Sequence, residues 1–482
     1  MPDLNIVSSR PAIAWVPPQE IDERLDAYPF DIRFIQPLQQ LYAVDYEIKP
    51  LREIARTIRC GPFGSSVLAE TYVDHGIPLL RPVNLAFGIM DFSDTVSVSP
   101  IAAKEGGYPI FGPGTILFAR VGNVNVGVLP EHTKQIALGP NVIGVDINKS
   151  VDPFFVGIFA ASRYGLVQLE RKLKVVAQPT ITTGTVRNFL VPLPPQPVQT
   201  YIGDKVRLVE RCRSRARELL NSAKHRFAEL THLGTFSPST AVFGFTPNDR
   251  LTERMAAEFY LPAYLDLERH LQTTELPVVP IGQLLKRAII RTGTPDRIES
   301  HIVPCILTSD IDPQTITYTS PSLWITDETH KNHKGKLQAL DVVYTSVGPP
   351  VGEAALVLPE YLPMAVGGDV SVLRAGKDLN PGYLCLYLNT VFGQMQNDRY
   401  ARGIRQRRVY PEDIESFLIP VPEKTLQDFI GNQVVEYERL NDRAATLVAA
   451  AKADVEALIE GRLDVEGIVA GRVVAPAWEE AG

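Results

Sequence analysis

The stretch CGPFGSSV (60–67) sets a thiol beside two glycines and a pair of hydroxyls, Ser65 and Ser66. Three chemistries use such a set. Cys60 as a nucleophile needs a base and an electropositive surrounding that holds it as thiolate. The glycine amides could instead cradle a phosphate, or amides and hydroxyls could touch phosphates and base edges with no bond broken. The sequence identifies no base for Cys60, and no Walker A, GxGxxG, HExxH or GxSxG pattern occurs. His330 and His333 in HKNHKGK have a spacing that a metal ion accepts, but nothing supplies a third ligand, so this stretch reads as a basic surface loop. Contact without catalysis is what remains, and it depends on the elements that position the loop.

Those elements are written twice. FLVPLPPQPVQTYIGDKV (189–206) lies over FLIPVPEKTLQDFIGNQV (417–434) with eight of eighteen positions identical. The same offset, about 228 residues, runs without a gap from Gly139 over Gly367 to Leu230 over Leu458. Upstream it drifts by a residue or two: GTILFARVG sits over DVVYTSVG and ERLDAYPF over ERMAAEFY, while RCGPF stands where the second half has RTGTP, which puts Thr292 in the place of Cys60. Each half carries short β-type runs, a helix (PFFVGIFAASRYGLVQL or PGYLCLYLNTVFGQMQN), a Pro-rich break and a long amphipathic segment. The long segments share a 4-then-3 stripe. It runs through Ile202, Val206, Val209, Arg213, Leu220 and Phe227 in the first, and Ile430, Val434, Tyr437, Asn441, Val448 and Val455 in the second. Arg213 and Asn441 are polar at the same step, which predicts two helices packed on each other in fixed register. The alternative is that each helix lies on its own domain.

The architecture that follows is α+β domain, long helix, α+β domain, long helix. Its expected boundaries are 1–195 and 236–422 for the domains, 196–235 and 423–465 for the helices, and 466–482 for a flexible tail. At 482 residues the chain exceeds what one core fills, and 45% hydrophobic with 21% charged residues is an ordinary globular composition. Four scattered cysteines argue against a zinc ribbon or a disulfide framework. No apolar run is long enough for a bilayer and the start lacks signal-peptide order, which predicts a cytoplasmic protein.

A net charge of −7 argues on its face against a nucleic-acid partner, but the distribution matters more than the sum. RYARGIRQRR (399–408) holds five arginines and Gln406, and the matching place in the first half holds RKLKVVAQPTITTGTVR (171–187). Arginine and glutamine reach guanine and adenine edges, while lysine, serine and threonine serve phosphates. A charge run is usually a solvated surface. Equivalent runs in two diverged halves point to DNA contact, with the remaining acidic surface facing other subunits of a complex.

Two fragments suggest enzymes. NPGY (380–383) resembles the NPPY signature of adenine-N6 methyltransferases, but its counterpart is DPFF (152–155), and both stand where a helix begins with Asn or Asp as cap and Pro at the first position. No FxGxG-like S-adenosylmethionine loop accompanies it. YEIK (46–49) resembles the E-x-K arm of a metal-dependent nuclease but lacks a convincing preceding Asp at a suitable distance, and reads as the start of a strand or helix.

The order CGPFGSSV, GIPLLRPVNL, GTILFARVGNVNVGV, LGPNVIGVDI, Pro break and long helix, duplicated across nearly the whole chain, resembles the specificity subunit of type I restriction-modification systems. The resemblance implies two target-recognition domains, each reading one half of a bipartite site in double-stranded DNA, separated by two long antiparallel coiled-coil-like helices. It implies no catalytic centre and no cofactor bound by this chain. The partners would be two methyltransferase subunits that use S-adenosylmethionine and, in the restriction form, translocase and nuclease subunits that use ATP and Mg. A helix from Ile202 to Leu230 is ~43 Å long at ~1.5 Å per residue, a little more than the ~34 Å of one DNA turn. The expected contacts are Arg59, Gly64, Ser65, Ser66, Lys172, Lys174, Gln178, Thr180 and Thr183 in the first domain. In the second they are Arg287, Arg291, Arg402, Arg405, Gln406, Arg407 and Arg408. Gln406→Ala is expected to relax specificity at one half-site, and Lys174→Ala to weaken binding to every sequence. The second half departs from the pattern, with RTGTPDR in place of the GPFGSS loop. A methylation-linked phage-defence system without a restriction subunit, a methyltransferase or nuclease in its own right, and a scaffold that binds no DNA are the alternatives.

Overall fold

The structure is a computed structural model that describes residues 28–62, 72–86, 89–90, 92, 95–173, 179–246, 251, 254, 256–299 and 301–478. Gly64, Ser65, Ser66, Lys174 and Gln178 lie outside the described residues. The chain divides into two units, Met1–Cys212 with Arg443–Gly482, and Arg213–Asp442. Each unit mixes helix and sheet, and two long helices run Gln196–Leu230 and Lys424–Ile459.

In the first unit the runs ILFA and VIGVDI are apolar almost without alternation, which is what strands covered on both faces require. Among the described residues they sit in an antiparallel sheet ordered Val126–Val128, Ile116–Ala119, Val142–Ile147, Ala55–Cys60. A second sheet contains the parallel pair Ile77–Leu80 with Ile136–Leu138. Glu47–Pro50, which contains most of YEIK, pairs with Leu190–Leu193. The helix Pro153–Ala160 is apolar on every side and buried accordingly.

The second unit repeats this internal plan at the offset read from the sequence. Ala354–Leu356, Val342–Thr345 and Val370–Leu373 form the antiparallel sheet, and Val303–Ile306 runs parallel to Ala365–Val366. Val278–Pro280 pairs with Leu418–Pro420 as Glu47–Pro50 does with Leu190–Leu193. The polar details repeat as well. Gln168 donates to the Leu190 carbonyl and accepts from its N–H at 3.0 and 2.8 Å, and Gln396 does the same to Leu418 at 3.0 and 2.6 Å. These amides satisfy the backbone of a strand end that pairs with no further strand among the described residues.

The caps confirm the reading of DPFF and NPGY. Asp152 accepts from the N–H groups of Phe154 and Phe155 at 2.9 and 3.3 Å, and Asn380 from those of Gly382 and Tyr383 at 2.9 and 3.2 Å. Both caps are buried beneath a long helix, and the helix has glycine at the crossing: a Cβ on Gly203 would meet Asp152 Oδ1 at 2.8 Å, and one on Gly431 would collide with Asn380. Gln199 and Gln427, one turn earlier, each accept from the N–H of the cap residue at 3.1 and 3.0 Å.

The stripe residues Ile202, Val206, Val209, Phe227, Ile430, Val434, Val448 and Val455 are buried; Leu220, Tyr437, Arg213 and Asn441 are half-buried. Within the first unit, Lys205 of one long helix is ion-paired to Asp454 of the other, with little of either exposed. Within the second, the Phe227 ring lies about 6 Å from those of Tyr383, Tyr387 and Phe392. Beyond the second long helix, Asp464 caps a helix, Val465–Val469, by accepting from the Gly467 N–H at 2.8 Å, and Ile468 is buried.

Candidate nucleic-acid interface

The arginine-rich stretch of the second unit forms a hairpin. Helix Val391–Tyr400 ends at Ala401, and the chain returns as Arg407–Arg408 paired to Val347–Gly348. Arg402 and Arg408 exchange N–H···O bonds of 2.8 Å in both directions, closing a loop of five residues. Gly403 takes φ +101°, and a Cβ there would meet the Gln406 carbonyl at 2.5 Å, so this turn requires glycine. The tip exposes Ile404 completely, with Arg405 and Gln406 exposed beside it.

The five arginines have different surroundings. Arg399 is buried, ion-paired to Glu268, with Nε donating to the Phe259 carbonyl at 3.0 Å. Arg402 donates to the buried carboxylate of Asp413 at 2.6 Å and lies 5.1 Å over the Tyr410 ring. Arg407 grips Asp398 through its carboxylate at 2.8 Å and its carbonyl at 3.0 Å. Arg405 and Arg408 are exposed, and Arg408 donates to Gln406 Oε1 at 3.3 Å. The hairpin is therefore held by Arg402 and Arg407, and it presents Arg405, Gln406 and Arg408.

Arg291 joins this hairpin to the RTGTP segment. Its guanidinium lies 6.0 Å over the same Tyr410 ring, and its Nε donates to the Gly368 carbonyl at 3.1 Å. Gly368 in turn donates its N–H to Thr294 Oγ1 at 3.0 Å. Arg287 is exposed on the segment bridged to the sheet at Leu285↔Ala375 and Ile290↔Val372. A groove opens between Arg291–Gly293 and Asn332–Lys334. Sequence reasoning treated HKNHKGK as an ordinary basic loop; the missed signal is that its first three residues close a capped helix, Asp327–Asn332, at the repeat position of another, Pro100–Glu105.

The first unit builds its equivalent around Arg120. Val121 bridges to Thr180, as Val347 pairs with Arg408, and Ile181 N–H donates to the Arg120 carbonyl at 2.9 Å, as Val409 N–H does to that of Ser346 at 2.9 Å. Thr183 opens the short helix Thr183–Arg187, capped by Thr182. Of the cationic run, Arg171 is buried with its guanidinium 5.6 Å over the Phe30 ring, while Lys172 is exposed on the turn after helix Arg163–Glu170. Arg59 is exposed on the strand Ala55–Cys60, opposite Gly144.

Several solved structures resemble this one. The S subunit of a type I restriction-modification system from M. genitalium is 11% identical, with 87% of this chain and 96% of that chain covered and a TM-score of 0.45. The HsdS subunit from Thermoanaerobacter tengcongensis is 16% identical over 89% of this chain and 98% of its own, with a TM-score of 0.26. A chain from a type I R-M system studied for complex assembly and conformational transition is 16% identical over 87% and 98%, with a TM-score of 0.30. No family model and no curated protein matches the chain.

The catalytic candidates take structural roles. Burial pushes the Cys60 thiol up, and neighbouring Arg120 only opposes this, so the thiol is neutral and a poor nucleophile. Cys212, Cys305 and Cys385 are buried thiols outside any disulfide, and burial takes Cys305 up to about 12. His330 and His333 turn their Nε2 atoms onto the carbonyls of Met364 and Val366 at 3.2 and 2.8 Å. Asn380 Oδ1 is occupied by helix N–H groups and its Nδ2 donates to Asp428 at 2.7 Å, leaving no side-chain amide to hold a base.

Proposed function

We propose that this chain is a sequence-reading DNA-binding subunit without chemistry of its own, the specificity subunit of a type I restriction-modification complex. The observation that carries this reading is the pair of loops at one place in two repeated units. Both return along the same backbone partner, Val121 in one unit and Val347 in the other, yet one is threonine-rich and the other arginine-rich. A repeated scaffold bearing loops of different chemistry is what reading two different half-sites demands.

In this reading 1–195 and 236–422 are the recognition domains, and 196–235 and 423–465 are the helical spacers. Arg405, Gln406 and Arg408 face base edges, while Arg402 and Arg407 hold the hairpin. Ile404 supplies an apolar surface suited to a thymine methyl. Arg59, Arg287, Arg291, Lys172, Thr180 and Thr183 contact the backbone or neighbouring bases, together with Gly64, Ser65, Ser66, Lys174 and Gln178 from the segments outside the described residues. The partners are double-stranded DNA and two methyltransferase subunits, in the cytoplasm, with S-adenosylmethionine consumed by the methyltransferases and ATP by restriction subunits where these exist.

The test is methylome sequencing of cells that express the chain with the methyltransferase encoded beside it, against cells lacking the chain. Methyladenine at one split motif, present only with this chain, is the expected result. Methylation unchanged by its deletion would remove the recognition role.

A further inference from the structure

The groove beside Arg291 has a twin in the first unit. There the walls are Arg59 on the strand Ala55–Cys60 and the end of helix Pro100–Glu105 with the turn Gly107–Pro109 after it. In the second unit they are Arg291–Gly293 and the end of helix Asp327–Asn332 with the turn that follows. Both short helices are capped by a hydroxyl, Ser99 accepting from Ala102 N–H at 3.1 Å and Thr326 from Thr329 N–H at 3.0 Å. Both following turns are pinned by one backbone bond, Leu138 N–H to the Pro109 carbonyl at 3.0 Å and Val366 N–H to the Gly335 carbonyl at 3.1 Å. In the second unit the walls approach closely because position 335 is glycine, where a Cβ would meet Thr292 Cγ2 at 2.8 Å.

The chemistry of the two grooves agrees. Each has an arginine on the strand side and a lysine on the helix side, Arg59 with Lys104 and Arg291 with Lys334, and the lysines are exposed. Lys331 is exposed on the same short helix of the second unit. Among the described residues that line either groove there is no carboxylate. Lysine is a compact point charge on a flexible stem, suited to a phosphate rather than to the planar edge of a base.

We infer that this paired groove is a phosphate-binding element of each unit, one that grips the DNA backbone beside the loop that reads sequence. The inference rests on the DNA-reading role proposed above. Arg291 belongs to both surfaces in the second unit, since it stacks on Tyr410 under the hairpin and forms one wall of the groove.

The test uses the full chain co-purified with its methyltransferase. Affinity is measured by fluorescence anisotropy on a duplex carrying the methylated motif and on a scrambled duplex, from about 50 to about 200 mM salt. Removing one lining lysine from each groove with Lys104→Ala/Lys334→Ala is expected to weaken both duplexes alike, by roughly tenfold or more, and to reduce the slope of log K against log salt by about two. Lys104→Arg/Lys334→Arg should restore the slope, and Lys377→Ala, an exposed lysine outside the groove, should leave it unchanged. An unchanged slope in the alanine variant, with wild-type binding intact, would overturn the groove assignment alone. A loss confined to the cognate duplex would overturn its phosphate character. Displacement of wild-type fluorescence-labelled duplex by millimolar inorganic phosphate at matched ionic strength, abolished in the variant, would assign the groove to a small free anion instead. Failure of the wild-type complex to bind either duplex would take down the DNA-reading role and the groove with it.

Discussion

Glu438 is the residue whose replacement is expected to make the protein more stable. It lies on the second long helix with 2% of its surface exposed. Its Oε1 accepts from the Tyr361 hydroxyl at 2.8 Å and from Ile316 N–H at 3.4 Å, while Oε2 is buried without a hydrogen-bond partner. Burial pushes its pKa up to about 8 from an ordinary 4.5, with the nearby Asp442 adding to the rise and Tyr361 and Ile316 opposing it. The folded protein therefore holds a proton that the unfolded chain releases. The stability this contributes is fully present below about pH 4.5 and is lost as pH rises through about 8. At ~1.4 kcal/mol for each tenfold change in proton affinity, the complete loss is ~5 kcal/mol, about half of it between about pH 5 and about pH 7. Glu438→Gln keeps the acceptor for Tyr361 and Ile316 and carries no proton to lose. Allowing ~1–2 kcal/mol for an amide nitrogen in place of the unpaired Oε2, the variant is expected to be ~3 kcal/mol more stable at about pH 8 and close to wild type at about pH 5. Urea denaturation of both proteins at the two pH values measures the difference. Curves that shift in parallel with pH would show that Glu438 ionises at no cost, and the argument from burial would fail.

Four further outcomes follow from the contacts described. Asp152→Ala removes a helix cap and leaves the half-buried Arg207, held at 3.0 Å, without its buried partner, so thermal denaturation should show a loss of ~3 kcal/mol, against ~1 kcal/mol for Asn380→Ser, which keeps a capping oxygen. Lys205→Met, which strands Asp454, should cost ~3 kcal/mol, with most of it regained in Lys205→Met/Asp454→Leu; equal instability of the single and double variants would deny the pair its coupling. Gln406→Ala should spread methylation over bases at one position of one half-site, while binding to scrambled DNA stays within about twofold. Cys60→Ala should leave methylation of the motif unchanged in cells, and its loss would restore a chemical role to the thiol.

The sequence made legible what depends on local rules and on repetition. The caps at Asp152 and Asn380, the Pro breaks and the buried stripe follow from chemistry within a few residues, and the offset located equivalent strands in both units. What it hid is decided by partners far along the chain. Five arginines in RYARGIRQRR look alike until Glu268, 131 residues away, takes Arg399 into the core, and Asp413 and Asp398 hold Arg402 and Arg407. HKNHKGK reads as a solvated loop until the end of the strand Ala365–Val366 brings it against Thr292. Glu438 lies one position beside the apolar stripe at Tyr437, where helical periodicity predicts a wetter site, and only the packing of Ile316 and Tyr361 against that flank buries it. The contacts of Arg399 with Glu268 and of Glu438 with Ile316 and Tyr361 join residues 131, 122 and 77 positions apart, and no short window of sequence contains both sides.

The division of the chain also sets an order of events during synthesis. The second unit, Arg213–Asp442, is one uninterrupted stretch, whereas the first is assembled from Met1–Cys212 and the last forty residues, Arg443–Gly482. A ribosome that has reached Asp442 has delivered every residue of the second unit, but Lys205 of the first still waits for Asp454. The half of the protein translated earlier is thus the half completed later, and until the segment after Asp442 is made it stays incomplete, with Lys205 lacking its carboxylate partner and the unit open to any chaperone nearby.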